Sequence, residues 1–491
     1  MKSIVIPKYP AKIPFAIPKE IIKLLPDKVV KRGQRNFLQV FRSSGALQES
    51  RRSRYKNLDG IQSDFVSLCI EAEKAFGPVK FICEKFREID PGSLLFLQLA
   101  QVLFGWEIEF KENLPQASLN ELEKNLVRVL DFGIPIDFDS SFKAAEDYSR
   151  VGDLWTCQLL LEKIIADHKG DAAKVDTTLY LLMDCAYRVL NLEKATLISQ
   201  RLILSNLEPI KKASVHYIRA MLATRKLRVK LDHDINAANE LKTAIELCEL
   251  ISDRNADYFA QKSVIYNGLS LLEYVHGSQD QAMKMMKASE DCIEQIKDLR
   301  FEDYQAMHPV MLSNQARIHA AAGEFDLAVS KQKEALDLEP DYLENHINLI
   351  RLYRDNDQLE EARDVLHAAL ELVPGEPLLY QFLAELNDQP DINYRRAIQY
   401  SAFSALDNEE YIYNYCVWLH ENENFAEVEK FLEQLIQSTV DQNIFENAAS
   451  MKADLLLRKF GKEKAVEFLT PYASQKAFSL IRENLQNVQQ G

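Results

Sequence analysis

Over most of the chain, apolar residues recur every three or four positions, the spacing that gathers them on one face of an α-helix. In "AAAGEFDLAVSKQKEALDLEP" (320–340) the pattern has a partner. Thirty-four residues on stands "RDNDQLEEARDVLHAALELVP" (354–374), in which Asp357 answers Gly323 and Leu359 answers Phe325. At the same offset Ala362 answers Ala328, Ala369 answers Ala335, Leu370 answers Leu336, Leu372 answers Leu338 and Pro374 answers Pro340. Each stretch is the second half of a helix–turn–helix unit. The first half of the earlier one is "VMLSNQARIHA" (310–320), with Leu312, Gln315, Ala316 and His319 on one face. Ala316, Ala328 and Ala335 are small where neighbouring helices must approach closely. Gly323 takes the turn, and Pro340 stops the second helix.

Weaker copies flank these two units. Downstream, Tyr415, Leu419, Phe425, Val428, Leu432 and Leu435 hold equivalent offsets, as do Ala453, Leu456, Ala465 and Leu469. Upstream, the copies carry Ala145, Tyr148, Gly152 and Cys157, then Leu182, Ala186, Leu192 and Ala195, then Leu269, Gly277, Ala282 and Met286. The 377–408 unit departs, because its Ala397 and Ala405 lie eight apart instead of seven. The pattern predicts about eight to nine helical pairs over roughly 138–480.

The 34-residue period and its small–large signature resemble the tetratricopeptide repeat, most closely at 309–342 and 343–376. The resemblance implies an all-α solenoid of stacked helix–turn–helix repeats, wound as a right-handed superhelix with a concave groove. Each pair is too short to bury its own apolar face, so stability comes from stacking, and terminal units need a covered or polar outer face.

The chain divides accordingly. Residues 1–55 read as a basic, proline-containing arm, extended except for one short helix over 19–25 and ordered on contact. Residues 56–137 read as a divergent helical region, with helical patterns over 61–135. Degenerate repeats fill 138–300, the array proper fills 301–480, and 481–491 is a polar tail.

One constellation points to binding. Asn314, Asn348 and Asn414 stand at one common offset before their units' landmarks (Phe325, Leu359, Phe425), so they share one site on the first helix. The resemblance places that site in the concave groove. An amide offers donors and an acceptor, so a ladder of them can pair with the backbone of an extended peptide. In the family such asparagines also hydrogen-bond between neighbouring repeats. Arg317 and Arg351 lie almost one turn along the same face and Arg354 follows; these can hold a carboxylate. Val417 interrupts the arginine series. The lysine/asparagine clamp of chaperone-binding members is not matched, since Ser313 and Ile347 stand where long basic residues are expected.

Composition narrows the class. Only 15 Gly and 16 Pro in 491 residues suit helices with short turns. Seven scattered cysteines lack Cys-x-x-Cys or metal spacing, and read as buried thiols in a reducing compartment. No apolar run is long enough to span a membrane, and prolines interrupt any leader-like stretch, so the expected location is cytoplasmic. No phosphate-binding, dinucleotide, nucleophile-elbow or zinc-protease motif occurs. His319, His346, His367 and His420 stand apart from any Cys or paired His and read as structural or surface residues. No enzyme and no cofactor is expected.

Residues 1–60 hold 14 Lys/Arg against 4 Asp/Glu, or +10, so the whole chain's −15 leaves −25 on the remainder. That acidic body argues against nucleic acid. The arm is expected to clasp it or to provide a second contact with a partner.

The expected function is a non-enzymatic scaffold or adaptor that takes a protein partner's peptide or helix in its groove. Two alternatives stay open: an accessory, substrate-presenting subunit of a separate enzyme such as a glycosyltransferase, and a peptide-sensing regulator. The amino-terminal helix–turn–helix usual in such sensors has no counterpart in 1–60.

Overall fold

The computed structural model describes residues 2–6, 58–83, 91–110, 137–150, 154–189, 191–224, 235–402, 408–439, 441–474 and 478–490, with five positions between 17 and 25. Two compact units are present, one ending at Glu376 and the other starting at Pro377. In both, antiparallel helical pairs stack in sequence order.

In the first unit the pairs are α3 (Phe138–Arg150) with α4 (Leu154–Asp167), α5 (Ala172–Arg188) with α6 (Leu192–Ile203), and α7 (Pro209–Thr224) with α8 (Ala237–Glu249). They continue as α9 (Ala256–Val275) with α10 (Gln279–Lys297), α11 (Phe301–Ala321) with α12 (Phe325–Leu338), and α13 (Leu343–Asp355) with α14 (Leu359–Leu372). The second unit holds α15 (Pro377–Glu385) with α16 (Pro390–Tyr400), α17 (Asn408–Glu421) with α18 (Phe425–Ser438), and α19 (Gln442–Phe460) with α20 (Lys462–Ala473). Within each unit every second helix packs on the next first helix. First helices also touch one another, as α9 does α7 and α11. The stack of helical pairs that the period predicts is therefore present.

The repeated small residues explain the close packing. Ala195, Ala244, Ala282, Ala328, Ala335, Ala362, Ala369 and Ala465 are all fully buried. Large apolar residues fill the layers between them, such as Leu366, Leu432 and Tyr415. Where the turn inside a pair is tight, the chain must reverse abruptly, which calls for a left-handed backbone. Gly277, Gly323, Asp357, Asn387 and Glu423 supply it, with φ of 77°, 76°, 57°, 62° and 58°. A closing bond across the turn marks each reversal: Glu324 N–H donates to His319 O at 2.9 Å, Gln358 to Tyr353 at 2.9 Å and Asn424 to Leu419 at 2.9 Å.

The second unit ends on α21 (Ser479–Gln490). Ile481 of α21 is fully buried, and the amide of Leu480 donates to the buried Glu446 carboxylate of α19 at 2.7 Å. This carboxylate at a helix amino terminus fixes the last layer. Several residues of α21 remain exposed, as a terminal cover requires.

The amino-terminal region departs from the all-helical expectation. A small parallel sheet in the order β1 (Lys2–Ile6), β2 (Val79–Cys83), β3 (Glu107–Phe110) packs with α1 (Leu58–Phe76) and α2 (Pro91–Phe104). Register pairs Ile4 with Phe81, and Phe81 with Ile108. Phe65, Phe81, Phe96 and Trp106 fill its core, with Phe65 and Phe96 ring centres 5.3 Å apart. Short runs such as "KSIVI" and "VKFIC" do not stand out against a helical background, and only the fold reveals them as strands.

Residues 2–6 are thus a paired strand, and Ile17, Ile21 and Leu25 are buried at helical spacing, so these parts of the basic arm belong to the folded body. The basic stretch 28–44 and the helical pattern at 118–132 lie outside the described residues.

This amino-terminal body also reaches the end of its own unit. Ser63 Oγ donates to Glu376 at 2.8 Å, and the Gly375 amide donates to Ser67 Oγ at 2.9 Å. Backbones meet so closely there that a Cβ on Gly375 would sit 2.5 Å from both Ser63 O and Ser67 N. Meanwhile α2 packs on α4 near the start of the helical pairs. One body therefore touches both α4 and the segment that follows α14.

Candidate interaction face of the first helices

On α11, Val310, Asn314 and Arg317 stand four and three positions apart and form one stripe; on α13, Glu344, Asn348 and Arg351 repeat it. The six predicted residues occupy different environments. Asn314 is buried, and its amide nitrogen donates to Asn267 Oδ1 of α9 at 2.8 Å. Asn414 likewise donates to Gln381 Oε1 of α15 at 3.1 Å. Both amides tie one first helix to the preceding one. Asn348 is nine-tenths buried and makes no hydrogen bond among the described residues. Arg317 is exposed and unpaired among them. Arg351 is half-buried and engaged, and Arg354 forks onto its neighbour Asp355 at 2.9 and 3.0 Å.

The series therefore divides by chemistry. Asn314 and Asn414 act between repeats, whereas Asn348 and Arg317 make no bond among the described residues. A guanidinium in that position can take a carboxylate in a bidentate grip, and the amide can take a peptide group.

Two partners of the ladder escaped the sequence pattern. Counted back from the turn residue Gly277, the position equivalent to Asn314 is Gly268, and its neighbour Asn267 supplies the amide instead. Helices α9, α10 and α11 are 20, 19 and 21 residues long, so Asn267 and Asn314 are 47 positions apart, wider than the repeat period. Gln381 lies in the unit whose alanine spacing slips.

A further polar hub was missed altogether. Asn345, 2% exposed, donates to the carbonyls of Ala335 at 3.1 Å and Glu339 at 3.3 Å, and accepts from Ser313 Oγ at 3.2 Å. Gln332 Nε2 donates to its backbone carbonyl at 3.1 Å. Ser313, the residue found where a clamp lysine would stand, is consumed here.

On α17, Trp418 sits one turn from Asn414 and stacks on Tyr415, whose ring also faces the Arg395 guanidinium at 5.2 Å. Arg395 is held by Asp391 at 3.2 Å and Glu427 at 2.5 Å, so it is not free for a ligand.

His319 meets Glu324 at 2.6 Å, His346 meets the Pro340 carbonyl at 2.8 Å, His420 meets Asp454 at 3.1 Å, and His367 is exposed. In the α7/α8 pair, Glu240 bonds Arg219 at 2.9 Å and His216 at 2.6 Å. Burial opposes its charge, but bonds from His216 and Arg219 prevail and hold the carboxyl below its ordinary range. All seven cysteines are free and buried, and burial pushes the Cys83 and Cys416 thiols up to about 12, far from a reactive thiolate. Among the described residues there is no His/Cys/Asp/Glu group suited to a metal, and no helix is long and apolar enough to cross a membrane.

Residues 319–386 match the tetratricopeptide repeat family. This stretch of the chain carries the tetratricopeptide repeat. Among solved structures, the chain is similar to the human IFIT1 dimer with PPP-AAAA, at 13% identity and a TM-score of 0.46, over 90% of this chain and 95% of that one. Yeast Tom70 aligns at 13% identity and a TM-score of 0.36, over 76% of this chain and 92% of the other. Cut9, from the APC/C hetero-tetramer Cut9–Hcn1, aligns at 12% identity and a TM-score of 0.33, over 86% and 92%. No curated protein sequence matches the chain.

Proposed function

We propose that the protein is a non-enzymatic scaffold that holds an extended peptide or helix of a protein partner against the first-helix faces of α11 and α13. The observation that carries this reading is the unequal use of one repeated site. Asn314 commits its donor to Asn267, while Asn348 and Arg317, on the same repeated face, make no internal bond among the described residues. A structural ladder would bond each amide internally; an unbonded amide beside an unpaired guanidinium leaves donors and an acceptor for a second chain. In this reading Asn348 pairs with the partner's backbone, Arg317 grips an acidic side chain or terminal carboxylate, and Val310, 43% exposed, contributes apolar contact. The basic residues of 28–55 supply a second contact, and the setting is cytoplasmic.

Affinity capture from native lysate, followed by titration with each purified partner, tests the reading. The Arg317→Glu/Asn348→Ala variant should keep its helicity and melting temperature and lose a partner that wild type retains. Undiminished binding of every partner by that variant would refute the face, and loss only with residues 28–55 deleted would move recognition to the basic segment.

A further inference from the structure

Although the seven cysteines are scattered in sequence, two of them meet. Cys157 on α4 and Cys185 on α5 are both fully buried, and their sulfurs are 3.3 Å apart. A disulfide needs about 2.05 Å, so closure asks for little more than about 1 Å of movement. The two helices are packed neighbours joined by a short loop, and belong to different pairs: α4 closes the first and α5 opens the second. A polar thread leads to Cys185 through the core. Its thiol faces Ser149 Oγ at 3.9 Å, and that hydroxyl accepts from Nη1 of Arg188, whose side chain is 11% exposed, at 3.1 Å.

We propose that Cys157 and Cys185 are an oxidisable dithiol that hydrogen peroxide converts to a disulfide, tying the first two helical pairs together. Peroxide is small enough to follow the polar thread when the helices breathe. The Cys185 sulfur attacks it, the O–O bond breaks, and a sulfenic acid and one water result. The Cys157 sulfur then attacks that sulfenic sulfur; the S–S bond forms, the S–O bond breaks, and the departing oxygen takes the thiol proton to leave as the second water. Two thiols are oxidised and one peroxide is reduced to two waters. The bulk of α4 and α5 prevents larger oxidants from reaching the pair, and the adjacent second thiol intercepts the sulfenic acid before further oxidation.

The full-length chain, reduced and then exposed to hydrogen peroxide, is alkylated under denaturing conditions and digested with trypsin without reduction. Cleavage after Arg150, Lys163, Lys174 and Arg188 places the two cysteines in peptides 151–163 and 175–188. The expected result is one cross-linked species of these two peptides, lighter than their sum by two hydrogens and split by reductant, with the other five cysteines alkylated. Oxidised wild type should melt above its reduced form, and Cys157→Ser should show no such difference. Recovery of both peptides unlinked, as alkylated thiols or as sulfinic acids, from protein that kept its helicity would overturn the proposal. The peptide measurement uses wild type alone, so it decides the matter even if the serine variant fails to fold.

Discussion

Asn345 gives a sharp test of how the repeats are joined. Its side chain is almost fully buried and makes three hydrogen bonds, two donated to carbonyls near the end of α12 and one accepted from Ser313 of α11. Those carbonyls also accept from Glu339 N at 3.1 Å and Tyr342 N at 3.2 Å, so neither is left bare when the amide goes. At about 1 kcal/mol for each lost bond, Asn345→Ala should cost about 3 kcal/mol. Asn345→Asp keeps the shape but points a carboxylate at two carbonyl oxygens. Its cost at neutral pH should exceed that of alanine. The folded state raises the new carboxyl's pKa above its unfolded value near about 3.9. Protonation then favours the fold, so the deficit is full above the raised pKa and shrinks as pH falls through it. Urea unfolding followed by far-ultraviolet circular dichroism at neutral pH and at mildly acidic pH reads both effects. Equal stability of Asn345→Asp and wild type, or a deficit that does not change with pH, would refute the reasoning.

Other expectations follow from single contacts. Glu423 takes a left-handed turn conformation that costs a side-chain residue about 1 kcal/mol; Glu423→Gly should therefore stabilise its unit by up to that amount, and Gly323→Ala should lose as much, both read in thermal melts. Glu240→Gln should destabilise by about 3 kcal/mol at neutral pH by leaving Arg219 without its carboxylate. Because the folded state lowers the Glu240 pKa, its contribution is present above the ordinary glutamate range and is lost as pH falls through the lowered value, so the two proteins should converge in acid. Gly375→Ala would drive a methyl group into the α1 backbone, and should speed proteolysis between 58 and 110 while leaving the α17–α20 region protected.

The legible part of this fold was the part with an unbroken period. Positions 309–376 repeat at a constant interval because α11 to α14 turn at the left-handed residues Gly323 and Asp357 and are stopped by Pro340 and Pro374. The boundary was less legible: α11 begins at Phe301 and runs through Pro309, where a repeat counted from 309 would start. Upstream, longer helices stretch the interval, so Asn267 could not be found by counting. The sheet was hidden because its strands are short, and because all of α1 and the arm separate Ile6 of β1 from Val79 of β2 along the chain.

The asparagine site itself was readable, but its use was not. Nothing in "SNQAR" or "NHINLIR" separates Asn314, which finds Asn267, from Asn348, which makes no bond among the described residues. That difference depends on the side chain that the neighbouring first helix presents. The Asn345 hub was similarly hidden, since its acceptors are backbone carbonyls that no pattern of side chains encodes.

The central claim is that partners lie on the first-helix face. A photo-cross-linking amino acid placed at Arg317 and, separately, at the half-exposed Leu327 of α12 tests it directly. Irradiated with a partner obtained by capture, the protein should cross-link from position 317 and not from 327, with the adduct mapping to an extended or helical segment of the partner. Cross-links from 327 alone would place the partner on the second helices and contradict the account.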